Sequence, residues 1–324
     1  MKILVTGAAG FIGAQLIKTL IKRGHSVVGV DNLNSYYDVE LKKGRLKDIR
    51  AEKKNAERFT FKKLDITDYA ALDRLFKNSH FQKVCNLAAQ AGVRYSFENP
   101  AAYVQSNLLG FFNVMDLCAK YKVKHFIYAS SSSIYGNNAK VPFSEEDRVD
   151  DPQSLYAATK KSDELMAYVY SHQMKLSCTG LRFFTVYGPW GRPDMAPFGF
   201  MKNILEHKPI RVFNNGKLSR DFSYIDDIVE GIVKVIEGPS DSPHPVYNIG
   251  NSHPVELMDF IGTIEKVAGA KAVKKFTGMQ KGDVYTTYAS TKLLEKDYGF
   301  KPNTPLLKGI TEFYKWYVKF YKVK

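Results

Sequence analysis

Short apolar runs alternate with longer amphipathic segments through the first half of the chain, and this order constrains the fold most. Apolar runs bounded by turn residues predict buried strands, whereas longer segments with apolar positions three and four residues apart predict helices. The predicted strands are Lys2–Thr6, Val27–Asp31, Phe59–Leu64, Val84–Ala88, His125–Ala129 and Leu176–Phe183. Because strands and helices alternate, we predict an α/β fold with a parallel sheet covered on both faces.

The alternation ends where proline and glycine cluster, over residues 188–193. Such punctuation predicts loops rather than further strand–helix units. We therefore predict a sheet domain over residues 1–187, completed by later segments at about 221–250. Residues 188–324 are predicted to form mainly a smaller C-terminal substrate lobe, interleaved with the sheet domain.

The composition is that of a soluble globular protein, with 44% hydrophobic and 25% charged residues. No apolar run approaches the ~20 residues that span a bilayer, and no signal peptide precedes the first predicted strand. We therefore expect a cytoplasmic protein with no membrane partner. Cys85, Cys118 and Cys178 lie in apolar segments and are interpreted as small buried hydrophobes, and no Cys/His spacing indicates a metal site.

The formal net charge of +14 raises the question of an anionic partner. The lysines are spread along the chain and no RNA-binding motif accompanies them, so we expect no nucleic-acid partner. A solvated basic surface is the favoured explanation, with steering of an anionic substrate as a secondary benefit.

Aromatic residues recur at helical spacing near the C-terminus, with lysines between them. They are Phe313, Trp316, Tyr317, Phe320 and Tyr321. This pattern fits either a helix on a membrane surface or a terminal helix whose aromatic face packs on the small lobe. We favour packing on the lobe.

A glycine triplet lies between the first predicted strand and the first predicted helix. Gly7 and Gly10 lack Cβ atoms and allow a tight turn and close approach of the backbone to a pyrophosphate, which the helix N-terminus faces. Gly13 allows the helix to pack closely on the strand. The spacing G-x-x-G-x-x-G at this place predicts a dinucleotide site in a Rossmann-type doubly wound sheet.

Residues at the ends of later strands extend this site. Asp31 lies 18 residues after Gly13, where a carboxylate accepts hydrogen bonds from the adenosine ribose hydroxyls and repels a 2′-phosphate. No arginine adjoins Asp31, so we predict NAD rather than NADP. The candidate cofactor-binding residues are Gly7, Gly10, Phe11, Ile12, Gly13, Asp31, Asn32, Asp65, Ile66, Leu87, Ala88, Ala89, Gln90, Tyr156 and Lys160.

Tyr156 and Lys160 lie four residues apart in a predicted helix that follows a serine cluster at 130–133. An i, i+4 pair shares one helix face, so a phenol and an ammonium are held side by side. A nearby cation favours the ionised phenol, which suits Tyr156 to act as a general base at a carbinol beside a dinucleotide. The spacing alone is a weak signal, but its combination with the glycine triplet and the serine cluster is a strong one.

These motifs resemble the extended short-chain dehydrogenase/reductase family of nucleotide-sugar enzymes over nearly the whole chain. The similarity rests on the segments 6–13, 86–89, 130–136, 156–160, 220–227 and 247–250. Within that family, the segments 90–96 and 188–196 are similar to those of UDP-glucuronate 4-epimerases, and the second is the more specific.

The resemblance implies tightly held NAD, catalysis by Ser131, Tyr156 and Lys160, and dimerisation through two long helices near residues 101–121 and 154–172. It implies that UDP-glucuronate and UDP-galacturonate interconvert through a 4-keto intermediate. Tyr156 would remove the 4-hydroxyl proton, Lys160 would hold the nicotinamide ribose, and Ser131 would share the proton. By resemblance to the family, the protein is expected to supply precursors for capsule or cell-wall polysaccharide.

The 4-ketone of glucuronate is a β-keto acid and can lose carbon dioxide. Relatives that exploit this loss, and the related 4,6-dehydratases, carry an acidic residue at or beside the serine cluster, where this chain has Ser132 and Ser133. We expect Ser132, Ser133 and Thr185 to hydrogen-bond the sugar carboxylate and hold it away from the cleavage geometry. Alternatively, the serines satisfy only the backbone of their turn.

Other candidates are expected to hold the nucleotide. Arg192 and Arg220 suit the diphosphate, because a guanidinium fork matches phosphate oxygens. Phe213 either stacks on uracil or belongs to the core. Arg94 either contacts the substrate or does not, and the sequence favours neither alternative. Asp283 is assigned to the nucleotide lobe by resemblance alone.

Three residues depart from the family pattern. Asn86 stands where many relatives carry His and is expected to alter cofactor affinity, while Lys281 and Ser290 replace the more usual Pro and Asp. The alternative functions are a 4-epimerase of neutral UDP-sugars (UDP-glucose or UDP-N-acetylglucosamine), a UDP-glucuronate decarboxylase and a non-catalytic NAD-sensing protein. The motif over residues 188–196 favours the sugar acid.

Overall fold

The computed structural model describes residues 1–240, 244–279 and 285–323, without the side chains of residues 53 and 54. Its strands are β1 (Lys2–Thr6), β2 (Ser26–Asp31), β3 (Phe59–Lys63), β4 (Lys83–Asn86), β5 (His125–Ser131), β6 (Cys178–Phe183), β7 (Thr185–Tyr187), β8 (Pro209–Val212), β9 (Ser219–Tyr224), β10 (Val246–Ile249), β11 (Pro254–Glu256), β12 (Val273–Phe276) and β13 (Thr286–Thr287). Seven of these strands form one sheet in the order β10-β6-β5-β4-β1-β2-β3. All its pairings are parallel, so the predicted α/β fold with a Rossmann-type doubly wound sheet is confirmed.

Helices cover both faces of this sheet. The α-helices of the described chain, which also pack on the smaller sheets, are α1 (Phe11–Lys22), α2 (Val39–Ile49), α3 (Lys53–Arg58), α4 (Tyr69–Lys77), α5 (Tyr95–Glu98), α6 (Pro100–Tyr103), α7 (Gly110–Lys120), α8 (Leu155–Met174), α9 (Ala196–Leu205), α10 (Ile225–Glu237), α11 (Leu257–Ala268), α12 (Lys292–Tyr298) and α13 (Leu306–Tyr321). Ile3 and Val5 pack in the core beneath α1 and α10, whereas Leu4 packs in the core beneath α4 and α7. Alternate residues of one strand thus face two cores, which explains why the strands read as continuous apolar runs.

The remaining strands form two smaller sheets. β9 lies between β11 and β13 and also pairs with β7, while β12 pairs with β8. β7 follows β6 directly, and β10 later returns to the edge of the large sheet beside β6. The chain therefore crosses between the large sheet and the smaller ones more than once. The division into residues 1–187 and 188–324 stays a prediction.

The long predicted helix over residues 101–121 has three parts. α6 continues through a π-helical segment, Val104–Leu109, into α7. Within the π-helical segment, buried Asn107 accepts a hydrogen bond from the backbone N–H of Gln90 (2.8 Å) and donates one to Thr159 Oγ1 (3.0 Å). This amide ties the segment both to the loop after β4 and to α8.

The C-terminal helix α13 packs its aromatic face inwards. The rings of Trp316 and Phe320 lie 5.1 and 4.9 Å from the ring of Trp190. Of the two alternatives for this helix, the structure confirms packing of its aromatic face against the protein rather than display of that face on a membrane surface. Within the described residues, no helix has both the length and the apolar character required to cross a bilayer. The three cysteines are buried and unpaired, as predicted.

Candidate active site

One large cleft opens at the carboxyl ends of the parallel strands, where ligands bind in open α/β sheets. Its volume is about 620 Å³, within the range of roughly 300–1,000 Å³ that is typical of ligand pockets. All but two of the predicted site residues line it. They are Gly7, Gly10, Phe11, Ile12, Gly13, Asp31, Asn32, Asp65, Ile66, Leu87, Ala88, Ala89, Gln90, Arg94, Ser131, Ser132, Ser133, Tyr156, Lys160, Thr185, Arg192 and Arg220.

The two exceptions are Phe213 and Asp283. Phe213 is half-buried against the core, and its ring lies 5.2 Å beneath the guanidinium of Arg94, which does line the cleft. Asp283, like Lys281, lies outside the described residues. The Asn86 side chain is also outside the cleft lining, because it is buried beneath the floor and accepts a hydrogen bond from Thr6 Oγ1 at 2.5 Å.

The glycine triplet forms a cradle that Cβ atoms would fill. Gly7 has a φ of +69°, and a Cβ there would lie 2.9 Å from the backbone nitrogen of Ala88. A Cβ at Gly13 would lie 2.2 Å from the carbonyl oxygen of Gly7. Helix α1 begins just after Gly10 with no side-chain cap and no acidic residue in its first turn. Its first N–H groups lack partners within the helix and are open to an anion, so these residues fit a dinucleotide pyrophosphate.

Two carboxylates form the neighbouring wall. Asp31 accepts hydrogen bonds from the backbone N–H groups of Ala9 (3.0 Å) and Leu33 (2.8 Å), and its remaining lone pairs face the cleft for hydroxyl donors. Asp65 accepts hydrogen bonds from Asn32 and Thr67. Burial opposes ionisation of Asp65, but these hydrogen bonds outweigh it and lower the pKa of the carboxyl group.

Tyr156 and Lys160 enter the cleft from the first turns of α8. The helix begins there because the side chain of Ser154 accepts a hydrogen bond from the backbone N–H of Ala157 at 3.1 Å. The half-buried Tyr156 ring lies edge-on to Tyr103, with centroids 6.0 Å apart. Lys160 Nζ donates hydrogen bonds to the Ala129 carbonyl (2.9 Å) and to Asp163 (3.0 Å), which leaves one N–H group for a ligand.

The serine cluster forms the turn at the end of β5. Ser131 Oγ lies 3.2 Å from Ser133 Oγ and accepts a hydrogen bond from the backbone N–H of Ser133. Ser130 Oγ instead donates to buried Glu164 at 2.6 Å. Thr185 begins β7 and also lines the cleft. The turn and the strand therefore both contribute hydroxyl-bearing residues to the cleft lining.

The loop after β7 carries a salt bridge with two hydrogen bonds. Arg192 binds Asp194 through two hydrogen bonds, from Nε (3.1 Å) and Nη2 (2.5 Å). The hydroxyl of Tyr36 donates to the same carboxylate at 3.3 Å. Burial and the charge of Asp194 raise the pKa of Tyr36 to about 12, so the phenol stays protonated. Arg192 keeps further N–H groups for an anionic ligand, and its binding of a phosphate stays a prediction.

Arg45 is buried behind the cleft, outside its lining, and supports loops of the site in a way that sequence reasoning missed. It is 1% exposed, and its guanidinium donates to the carbonyls of Ala9 (2.9 Å), Trp190 (2.6 Å) and Gly191 (3.2 Å) and to the hydroxyl of Tyr37 (2.6 Å). It therefore joins the glycine-rich loop to the loop that carries Arg192. The signal was present in the sequence, because Arg45 occupies the middle of an i, i+4 apolar row on α2, Leu41–Arg45–Ile49.

Arg220 and Lys42 also lie at the cleft. Arg220 Nη1 donates to the carbonyls of Ser219 and Tyr285, at 2.9 and 3.0 Å. Lys42 Nζ donates to the backbone and side-chain oxygens of Asn34, both at 2.7 Å. Burial lowers the pKa of Lys42, although Asp31 opposes this. Lys42 lies on α2, where neighbouring lysines gave sequence reasoning no signal to single it out.

Known proteins are similar to this chain in both sequence and architecture. Residues 3–250 match the model of the NAD dependent epimerase/dehydratase family. A probable UDP-glucuronate 4-epimerase from Rhizobium meliloti is 46% identical over 99% of this chain and 98% of that protein. Among solved structures, UDP-glucuronic acid 4-epimerase from Bacillus cereus, in complex with UDP-glucuronic acid and NAD, is 34% identical with a TM-score of 0.92, covering 99% of this chain and 100% of that one.

A second solved structure is also similar. UDP-glucose 4-epimerase from Thermotoga maritima, with UDP-glucose, is 29% identical with a TM-score of 0.89, covering 99% of this chain and 100% of that one. The predicted resemblance to the extended short-chain dehydrogenase/reductase family is confirmed. The chain belongs to the NAD dependent epimerase/dehydratase family.

Proposed function

We propose that this protein is a UDP-glucuronate 4-epimerase that uses bound NAD and interconverts UDP-glucuronate and UDP-galacturonate. The observation that carries the proposal is the composition of one cleft. Tyr156 and Lys160 line it together with a glycine cradle on one side and the hydroxyl groups of Ser132, Ser133 and Thr185 on the other. The relatives named above as UDP-glucuronate 4-epimerases support the choice of a sugar acid.

The cofactor site follows from the residues already described. Gly7, Gly10 and the first turn of α1 would hold the pyrophosphate, and Asp31 would accept hydrogen bonds from the adenosine ribose hydroxyls. The carboxylate of Asp31 disfavours a 2′-phosphate, which supports NAD over NADP. Bound NAD would supply the acceptor and donor of hydride at C4 of the sugar.

The side chains of the cleft would then handle the proton. Tyr156 is proposed to take the 4-hydroxyl proton as a general base and to return it after the 4-ketone has presented its other face. Lys160 would stabilise the phenolate and hold the nicotinamide ribose with its third N–H group. Ser131, which accepts the backbone N–H of Ser133, would share the proton through its hydroxyl.

The substrate is proposed to lie along the part of the cleft that is lined by Arg192, Arg220 and the hydroxyl-bearing residues, called the side-chain wall. Arg192 and Arg220 would pair the diphosphate, while Ser132, Ser133 and Thr185 would hold the sugar carboxylate. Phe213 is proposed to stack on the uracil, and Arg94, which lines the cleft and lies 5.2 Å over the Phe213 ring, is proposed to contact the substrate.

Dimerisation is proposed through the two long helical stretches. Large apolar side chains are exposed on both, at 43% for Leu109, 57% for Leu165 and 53% for Val169. Burial of such a patch in a partner would remove apolar surface from water. We further propose a cytoplasmic location and a role in the supply of polysaccharide precursors, in keeping with the expectations from sequence.

The test is a parallel incubation of the purified protein with UDP-glucuronate, UDP-glucose and UDP-N-acetylglucosamine, with the products resolved by chromatography. The proposal predicts UDP-galacturonate from the first substrate and far slower conversion of the others. Preferred inversion of a neutral sugar would favour the alternative 4-epimerase, and release of UDP-xylose would favour a decarboxylase. NAD bound without turnover of any substrate would favour an NAD-sensing protein.

A further inference from the structure

A buried carboxyl group lies directly behind the proposed catalytic lysine. Asp163 follows Lys160 by one helical turn, and its Oδ2 lies 3.0 Å from the ammonium. The Lys160 and Asp163 side chains are 3% and 0% exposed. The second oxygen, Oδ1, has no hydrogen-bond partner among the described residues. Buried carboxylates ordinarily have their oxygens satisfied, so ionisation of this group is poorly supported.

The surroundings of Asp163 contain little other free charge. Glu164, the next residue on α8, is paired with Arg182 of β6 at 2.9 Å. Tyr128 on β5, a fully buried phenol, lies close enough to Asp163 and Glu164 to sense the charge of both. The π-helical segment that packs on α8, Val104–Leu109, contains no charged residue. Within the described chain, the ammonium of Lys160 is therefore the cation that Asp163 contacts.

We propose that Asp163 is a positioning residue that fixes the ammonium of Lys160 and, when ionised, offsets part of the charge with which Lys160 stabilises the phenolate of Tyr156. This inference rests on the proposed function, because it assigns Asp163 a role in the same proton transfer. Lys160 has three N–H groups, and the bonds to Ala129 and Asp163 fix two of them. The third is thereby aimed at the cleft.

The charge of Asp163 changes within the working range of pH. Burial raises the pKa of Asp163 from 3.8 to about 7, although Lys160 opposes the rise. The carboxyl group is therefore neutral in weakly acidic solution and ionised in weakly alkaline solution. Its negative charge then weakens the field that the ammonium of Lys160 exerts in the cleft.

The first test compares the pH dependence of kcat for the wild type, Asp163→Asn and Asp150→Asn. The amide in Asp163→Asn keeps an acceptor for Lys160 but carries no charge at any pH. Below about pH 7 wild-type Asp163 is as uncharged as the amide, so the two profiles should converge there. Above that pH the variant should complete its acidic limb at lower pH than the wild type, by up to about one unit. Asp150 is 55% exposed, and its variant should leave the profile in place. A uniform loss of rate without a shift of the limb in Asp163→Asn would mean a purely structural role and would overturn the proposal.

The second test does not require turnover. In the wild type, the folded protein holds a proton on Asp163 that the unfolded chain releases at lower pH, so this group removes stability as pH rises from about 4 to 7. The melting temperature of Asp163→Asn relative to the wild type should therefore increase between pH 5 and pH 8. A constant or decreasing difference would contradict the proposal, and so would failure of this near-isosteric variant to fold.

The two tests separate this inference from the proposed function. If the wild type converts no UDP-sugar, the proposed function fails, while the melting experiment still decides whether Asp163 titrates. If the wild type is active but neither the kinetic profile nor the melting difference responds to Asp163→Asn, the inference about Asp163 fails alone.

Discussion

The two sides of the cleft are built in different ways. The side proposed to bind the dinucleotide, called the dinucleotide side, is made of backbone, from the loop around Gly7 to Gly13 and from the ends of adjacent parallel strands. The side proposed to bind the substrate, called the substrate side, is held together by long side chains, such as Arg45 on the Trp190 carbonyl and Tyr36 on Asp194, from residues 145 and 158 positions apart. A local motif therefore defines the first side, whereas the second exists only after the chain has folded.

Tyr156 lies between these sides, and its removal should have the largest effect on rate. Tyr156→Phe keeps the ring against Tyr103 but deletes the proposed general base, so we expect kcat to fall by roughly 10²–10⁴. Binding of UDP and the content of NAD should stay near the wild-type values, because neither side of the cleft is disturbed. Tyr168→Phe is the control, since Tyr168 is on the same helix and 53% exposed.

The backbone side should break with a single methyl group. In Gly13→Ala the new Cβ would meet the Gly7 carbonyl at 2.2 Å, where no side-chain rotation can relieve the clash. We expect a loss of about 3 kcal/mol in the free energy of unfolding, at the upper end of the range typical of overpacking, with loss of bound NAD. Denaturant titration and the absorbance of released cofactor measure the two effects.

The matched control for that substitution is Gly199→Ala in α9, where a Cβ meets nothing within 4 Å. Alanine is favoured over glycine inside a helix by about 0.5–1 kcal/mol, so this variant should be slightly more stable than the wild type. Equal behaviour of the two alanine variants would refute the cradle at Gly13.

The dinucleotide side was the more predictable one, because its residues form motifs that can be recognised from short stretches of sequence. The glycine triplet, Asp31 at a strand end and the Tyr156–Lys160 spacing are each visible within a few residues of sequence. The parallel sheet also followed from the alternation of strands and helices. Neither the π-helical segment Val104–Leu109 nor the burial of Asp163 could be predicted, because each depends on neighbours from distant parts of the chain.

The side-chain wall should break at Arg45. Arg45→Met leaves the Ala9, Trp190 and Gly191 carbonyls without their shared donor, which should reduce the free energy of unfolding by about 2 kcal/mol. Because the loop that carries Arg192 is released, KM for UDP-glucuronate should rise by about tenfold, more than kcat falls.

Arg50→Met serves as the control at the C-terminal cap of the same helix, since Arg50 is exposed and touches Phe59 rather than the cleft. It should change both stability and KM only slightly. A KM for Arg45→Met equal to that of Arg50→Met would mean that Arg45 does not organise the substrate side.

The smallest effect is expected at the proposed carboxylate pocket. Thr185→Val removes one hydroxyl group at nearly constant volume, so kcat should fall by about tenfold or less. A fraction of the product should be UDP-xylose, because the carboxylate of the 4-ketone is less firmly held. Chromatography of the product mixture measures this fraction. Unchanged rates with no decarboxylated product would remove Thr185 from the pocket.

Substrate-side residues such as Tyr36, Lys42 and Asp194 gave little signal in sequence for a physical reason. Each occurs in a polar segment where surface residues are common. Tyr36 and Asp194 meet only across 158 positions of the chain, whereas Lys42 binds Asn34, eight residues away, in a pattern that no sequence motif marks. Arg45 is the exception, because a charged residue in an apolar helical row indicates a buried, fully bonded side chain.

The most direct measurement of the central claim follows an isotope at the inverted carbon. UDP-glucuronate carrying deuterium at C4 is incubated with the enzyme in ordinary water, and the UDP-galacturonate formed is analysed by NMR and mass spectrometry. Removal and return of one hydride inside a closed cleft predicts full retention of deuterium at C4 of the product. Exchange of that deuterium with water would contradict the account, since it would place proton abstraction from carbon where we propose hydride transfer.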